Sequence, residues 1–489
     1  MSSAGSAGSD DAGPASIGVD AAAPARPVRA VAAVDLGATS GRVMIGRVGA
    51  GVLELEQVAR FANGPVERDD GWHWDIEALW GHVRAGLAEA LRREPAIESV
   101  GIDSWAVDYG LLRNGELVAE PFHYRDERTA RGVDAVHAIV PFDELYRRNG
   151  LQFLPFNTVY QYAADAQLAA AESSLLIPDL FAERLTGRRV AERTNASTTG
   201  LLDVHTGEWD AALAGVLGLP ASVLPPLIDP GKTVGLAADL DALPVVAVGS
   251  HDTASAVVAV PMSSPHAAYI SCGTWGLVGL ELEEPIVTDA AREANFTNEG
   301  GVDGRIRFLH NVTGLWLLSE TVRAWSEADG APVDLGELLA AAGSVPPPGR
   351  LFDADDPSLA APGDMPSRIA ALLEIDVPAP SERPLFARTI VESIAQAFAT
   401  TLRTAAALAD REIDVVHLVG GGALNTLLCQ ATADRSGLPV LAGPVEATAL
   451  GNVLVQARAL GAFGPDAPLA DLRALVAAAF PPRRFEPRS

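Results

Sequence analysis

One pattern, occurring twice, constrains this chain more than any other feature. Val31-Ala32-Ala33-Val34 is an unbroken apolar run that reads as a buried strand. It empties into the small-residue turn Asp35-Leu36-Gly37-Ala38-Thr39-Ser40-Gly41, and residues 42–48 read as a returning strand, with a third over 52–61. The second half repeats this opening, with a strand over 267–271, the turn Cys272-Gly273-Thr274, and a strand over 275–282. Two copies of one hairpin predict two halves on one plan, meeting at the linker-like Pro261-Met262-Ser263-Ser264-Pro265. The chain has 489 residues, 48% of them hydrophobic, which is enough apolar mass for two separate cores. The expected division is residues 28–262 and 263–480. Residues 1–27, made mostly of Ala, Gly, Ser, Asp and Pro, bury too little to offset their ordering entropy and are expected to be a disordered tail.

Strands and helices alternate between these landmarks, as in an α/β fold. Asp75 is a fair N-cap for a helix whose apolar face is Ile76, Leu79, Trp80, Val83, Leu87 and Leu91. A short strand over 100–102 leads into Asp103-Ser104-Trp105-Ala106-Val107-Asp108. Another, over 244–248, runs into Gly249-Ser250-His251-Asp252-Thr253, where a helix is expected to start. The proline-rich stretches 346–349 and 378–384 read as loops, 388–409 as a long helix, and 415–419 as a strand ending in Gly420-Gly421-Gly422.

Charge excludes several functions. With 36 Lys+Arg against 63 Asp+Glu, the formal charge is −27, which disfavours nucleic acid and anionic membrane as partners. A phosphate ligand would have to be held locally, by backbone N–H groups, a few arginines and a metal ion. No run of about 18 apolar residues suggests a membrane span, and no basic-then-apolar leader opens the chain. Cys272 and Cys429 cannot build a disulfide framework, so free thiols and a cytoplasmic setting are expected. Gly231-Lys232-Thr233 resembles the end of a phosphate-binding P-loop, but Pro226 stands where that motif requires glycine. Neither CxxC nor HExxH occurs, so zinc is not indicated.

Four segments could carry chemistry, and each also has a plain structural reading. The turn 35–42 places small residues, two hydroxyls and Arg42 around one anion-sized space, with Asp35 able to hold a hydrated Mg²⁺; it is equally a hairpin turn. Ser271-Cys272-Gly273-Thr274 offers the same from the other half, or is a second hairpin turn. Gly420-Gly421-Gly422 leaves the backbone bare, either for a flat ligand such as adenine-ribose or for a tight strand–helix turn. Asp252 lies beyond a strand's C-terminal end, where α/β folds place ligands, and could take a proton from a substrate hydroxyl; at a helix start it is also a natural N-cap.

Taken together, the segments Val34–Val43, Gly101–Asp108, Gly150–Thr158, Ser250–Val257, Asn298–Gly301, Asn311–Leu318 and Gly443–Ala447 resemble the FGGY family of carbohydrate kinases, most nearly its rhamnulokinase branch. The resemblance runs from about residue 28 to 480. It implies two actin-like (ribonuclease H-like) ATPase domains with a cleft between them. It also implies ATP- and Mg²⁺-dependent phosphorylation of L-rhamnulose at the 1-hydroxyl, in L-rhamnose catabolism, so that the partners are a small sugar and ATP. By the same resemblance Ala38, Thr39, Ser40, Gly41, Arg42, Thr274, Ser319 and Gly421 would contact the nucleotide. Ala106, His251, Asp252, Thr253 and Asn311 would contact the sugar, with Asp252 as general base. Two positions depart from the branch, since Ala106 stands where Gly is common and Ser319 where Gln is expected. Alternatives are a kinase for another ketose or polyol, such as L-fuculose or xylulose, and an actin-like nucleotide-switched protein without enzymatic activity.

Overall fold

The computed structural model describes residues 27–464 and 467–488; the predicted tail lies outside these, Pro27 excepted. Two sheets organise the chain. In the first, Arg29–Leu36 pairs antiparallel with Ser40–Gly49, which pairs antiparallel with Val52–Ala62. On its other edge Arg29–Leu36 runs parallel to Ile97–Ser104, which runs parallel to Leu243–Val246. In the second, Ala267–Cys272 pairs antiparallel with Trp275–Leu282, which pairs antiparallel with Ile306–Thr313. Its other edge runs parallel to Val415–Val419, followed by Val440–Ala442. Three antiparallel strands followed by parallel ones, twice over, is the actin-like plan, and the repeated hairpin is its beginning in each half.

Local chemistry explains most of the element boundaries. Asp75 caps helix Ile76–Arg93 by accepting from Ala78 N at 2.9 Å, and Ile76, Leu79, Val83 and Leu87 are buried against the first sheet. The strand expected over 100–102 extends to Ile97–Ser104, because it pairs with Arg29–Leu36 from one end to the other. The segment expected to be a loop over 378–384 ends earlier. Helix Arg383–Leu408 opens with Pro384 in its first turn, where the missing N–H has no partner to lose. Strand Arg483–Phe485 closes the second sheet beyond residue 480.

Two helices lie between the sheets and fix the site's geometry. Asp252–Val258 and Ala447–Ala459 bury Val257, Leu450, Val453 and Leu454 in one cluster with Val31, Ala33 and Met44 of the first sheet and Tyr269 of the second. They approach so closely that a Cβ on Gly451 would lie 1.8 Å from the Ser255 carbonyl oxygen. Polar groups set the register of this seam. Gln456 Nε2 donates to the Ala32 carbonyl at 3.0 Å, Ser99 Oγ donates to Gln456 Oε1 at 2.7 Å, and Asn452 Nδ2 donates to Asp103 at 2.5 Å. Among the described residues no helix is long and apolar enough to cross a membrane.

Candidate active site

A cavity of about 430 Å³ opens between the halves, and both hairpin turns face it. Ala38, Thr39, Ser40 and Arg42 line it from the first half, Thr274 and Gly421 from the second. Ala106, His251, Asp252, Thr253 and Asn311 form the other part of the wall. Gly41 and Ser319 are not among the lining residues. A Cβ on Gly41 would meet the Phe61 ring at 2.3 Å, so this glycine serves packing beneath the turn. Ser319 is exposed on helix Trp316–Asp329, outside the cavity wall.

The first turn is braced from behind. Asn63 donates its backbone N–H to the Thr39 carbonyl at 3.1 Å and its Nδ2 to the Gly37 carbonyl at 2.8 Å. Among the described residues the amides of Ala38 and Thr39 have no intramolecular partner, which suits them to an anion. Arg42 is less free than the sequence suggests. It hydrogen-bonds Glu446 of the second half, and its Nε lies 3.5 Å from Asp35. Asp35 Oδ2 is buried without a hydrogen bond, an arrangement that fits a cation drawn in with its water shell. Burial pushes the Asp35 carboxyl up to about 6, although Arg42 pulls against it.

The three glycines divide their roles. Gly420 has φ +82°, and a Cβ there would lie 2.8 Å from the Cys272 carbonyl oxygen; a Cβ on Gly422 would lie 2.4 Å from the Cys272 sulfur. These two let the turn pack on Cys272, whereas Gly421 has nothing within 4 Å of its Cβ position and faces the cavity. Cys272 is a packing residue, its thiol pushed well up by burial.

Asp252 is the first residue of helix Asp252–Val258, and His251 takes the N-cap position with no side-chain capping bond. The carboxylate is therefore not spent on a cap. It accepts from Thr253 Oγ1 at 3.1 Å, lies 3.4 Å from His251 Nε2, and is about a third exposed to the cavity. The loop carrying it is tied down by Glu192, a buried carboxylate that accepts from Ser250 N and Ser250 Oγ, both at 2.9 Å, and from the Thr194 amide. Burial raises the Glu192 carboxyl, and these donors oppose the rise.

Several residues of the site escaped sequence reasoning. Gln152 Oε1 accepts from both Asn311 N and Asn311 Nδ2 at 3.0 Å, which leaves Asn311 Oδ1 as the acceptor toward a ligand. Asp108 is fully buried and gathers four donors, Trp74 Nε1, Trp105 Nε1, Tyr124 N and Gln161 Nε2, at 2.6–3.1 Å. Its carboxyl is pushed up to about 6 by burial against the pull of those donors. Next to it Val107 has φ +68°, a costly conformation for a β-branched residue, held by Thr158 Oγ1 and Gln161 Nε2 donating to its carbonyl. Arg307 is fully buried beside His251, paired with Glu299 at 3.0 Å. Polar residues inside an apolar pattern were the available signal for Asp108 and Arg307.

Models of the FGGY family of carbohydrate kinases match the chain in two parts, the N-terminal domain over residues 30–259 and the C-terminal domain over 268–460. A rhamnulokinase from Klebsiella pneumoniae is 41% identical over 441 residues, covering 88% of this chain and 89% of the relative. One from Bacteroides thetaiotaomicron is 38% identical over 470 residues, covering 93% and 95%. Among solved structures, a ligand-bound xylulose kinase from Lactobacillus acidophilus superposes with a TM-score of 0.74 at 16% identity, covering 94% of both chains. A Plasmodium falciparum glycerol kinase with ADP gives 0.72 at 14%, also covering 94% of both.

Proposed function

The chain belongs to the FGGY family of carbohydrate kinases, and we propose that its reaction is transfer of the γ-phosphoryl group of ATP to the 1-hydroxyl of L-rhamnulose. The observation that carries this reading is Asp252, a carboxylate free of capping duty in a cavity that faces both anion-suited turns. A sugar hydroxyl is a weak nucleophile at neutral pH. Asp252 takes its proton as the new P–O bond forms, a contribution typically worth about 10²–10⁴-fold. His251, Thr253, Asn311 and Ala106 orient the sugar. Ala38, Thr39, Ser40 and Thr274 hold the phosphates through amides and hydroxyls, and Gly421 leaves room for the nucleoside.

Mg²⁺ bound with the nucleotide supplies charge neutralisation at the phosphates, and Asp35 is the residue that would hold its water shell. Residues 28–262 then form the sugar-side domain and 263–480 the nucleotide-side domain. The buried free thiols Cys272 and Cys429 suit a cytoplasmic enzyme. Sugar-dependent ADP release tests the assignment. L-Rhamnulose should turn over well above L-fuculose, xylulose and glycerol, whereas equal or faster turnover of one of those would reassign the sugar.

A further inference from the structure

We propose that Arg307 is a positioning residue that fixes the tautomer of His251 and so keeps a protonated ring nitrogen, not a lone pair, beside the carboxylate of Asp252. The inference rests on the reading of Asp252 given above.

Arg307 lies on strand Ile306–Thr313, directly across from Glu299, and is 0% exposed. Its guanidinium is held at three points: Nε donates to the Gly300 carbonyl at 2.9 Å, Nη1 lies 3.0 Å from Glu299, and Nη2 lies 3.0 Å from His251 Nδ1. A guanidinium can only donate. His251 Nδ1 must therefore accept, and the ring's single proton sits on Nε2. Glu299 is also near Nδ1, but at 3.4 Å it is the more distant of the two neighbours, and Arg307 Nη2 is the group hydrogen-bonded to that nitrogen.

That tautomer has a consequence at the reaction centre. His251 Nε2 is 3.4 Å from Asp252 Oδ1, the same oxygen that accepts from Thr253 Oγ1 at 3.1 Å. Thr253 Oγ1 is the donor hydrogen-bonded to Oδ1, and the protonated Nε2 is the ring nitrogen that stands beside the same carboxylate. With the proton moved to Nδ1, an Nε2 lone pair would stand beside the carboxylate instead. Arg307 and Glu299 belong to the second half of the chain, while His251 and Asp252 belong to the first. The ring is thus held in this tautomer only when the two halves are packed as they are here.

The test is ¹⁵N NMR of the full chain labelled at histidine, with His251 assigned by its loss in His251→Gln. The wild-type spectrum should show Nδ1 unprotonated and Nε2 protonated. Arg307→Lys keeps a cationic donor and should keep that signature and most of kcat. The double variant Arg307→Met with Glu299→Met replaces the buried ion pair by apolar groups of similar size, a change often tolerated by folding. It should lose the signature and lower kcat about tenfold, less than the about 10²–10⁴-fold expected for losing the base itself, with KM for ATP unchanged. A wild-type ring protonated at Nδ1 overturns the proposal even if no variant folds, as does a double variant with wild-type signature and kcat. If instead Asp252→Asn turns over normally, the reading of the base fails, whatever the tautomer.

Discussion

Asp108 is the sharpest place to test how the sugar end of the cavity is held. Four N–H donors converge on this buried carboxylate, and three of them, Trp74 Nε1, Trp105 Nε1 and Tyr124 N, have no other acceptor. The fourth, Gln161 Nε2, also donates to the Phe156 carbonyl at 2.9 Å. Asp108→Leu leaves three buried donors unpaired, at about 1–3 kcal/mol each, or about 3–9 kcal/mol together. Against a total stability of about 5–15 kcal/mol, that threatens the fold of the first half. Asp108→Asn is different, because its single carbonyl oxygen can take the place of Oδ2 and keep all three. Only the bond to Gln161 is forfeited, at about 1.5–3 kcal/mol for a bond to a charged group. Urea unfolding followed by tryptophan fluorescence, with near-UV circular dichroism reporting the Trp74–Trp105 pair, measures both variants. Equal losses in the two, or an Asp108→Leu midpoint within about 1 kcal/mol of wild type, would refute the reasoning.

Three further residues give outcomes that follow from the geometry. Asp35, raised to about 6 mainly by burial, should protonate as pH falls through that value. KM for Mg–ATP is expected to rise below pH 6 in wild type and to be high at all pH in Asp35→Asn. Because ionising Asp35 disfavours the folded state, its stabilising contribution is present at acid pH and lost as pH rises through about 6, so Asp35→Asn should gain stability over wild type at pH 8. Gly451→Ala drives a methyl into the Ser255 carbonyl and should cost about 1–3 kcal/mol or more, read as a lower Tm. Ala106→Gly removes one methyl from the cavity wall. It should change kcat/KM between competing sugars by about 10–200-fold at most, measured on a sugar panel.

Legibility in the sequence followed range. The two hairpins, the Asp75-capped helix and the strand Val415–Val419 could be read because apolar runs and small-residue turns act over a few neighbouring residues. The bland reading of Asp252 as an N-cap could not be decided that way, since the N-cap position falls one residue earlier. Arg42 reads as a free phosphate clamp until Glu446 is brought to it from 404 residues away. The triple glycine reads equally as a ligand platform or a tight turn, and the choice depends on Cys272, against which two of its members pack only when the sheet forms. Gln152, Glu192 and Arg307 were missed for one reason: each acts on a partner dozens of residues distant. Ser319 shows the reverse hazard, a residue placed at the nucleotide by resemblance alone and found exposed outside the cavity.

The reaction turns on whether Asp252 removes the proton from the sugar. Asp252→Asn keeps the shape of the side chain and disturbs no cap, so binding of ATP and of the sugar, measured by calorimetry, should persist. Single-turnover phosphoryl transfer on that variant is the most direct measurement. A fall of about 10²–10⁴-fold with both substrates bound is the expected result. A rate within about tenfold of wild type would contradict the assignment.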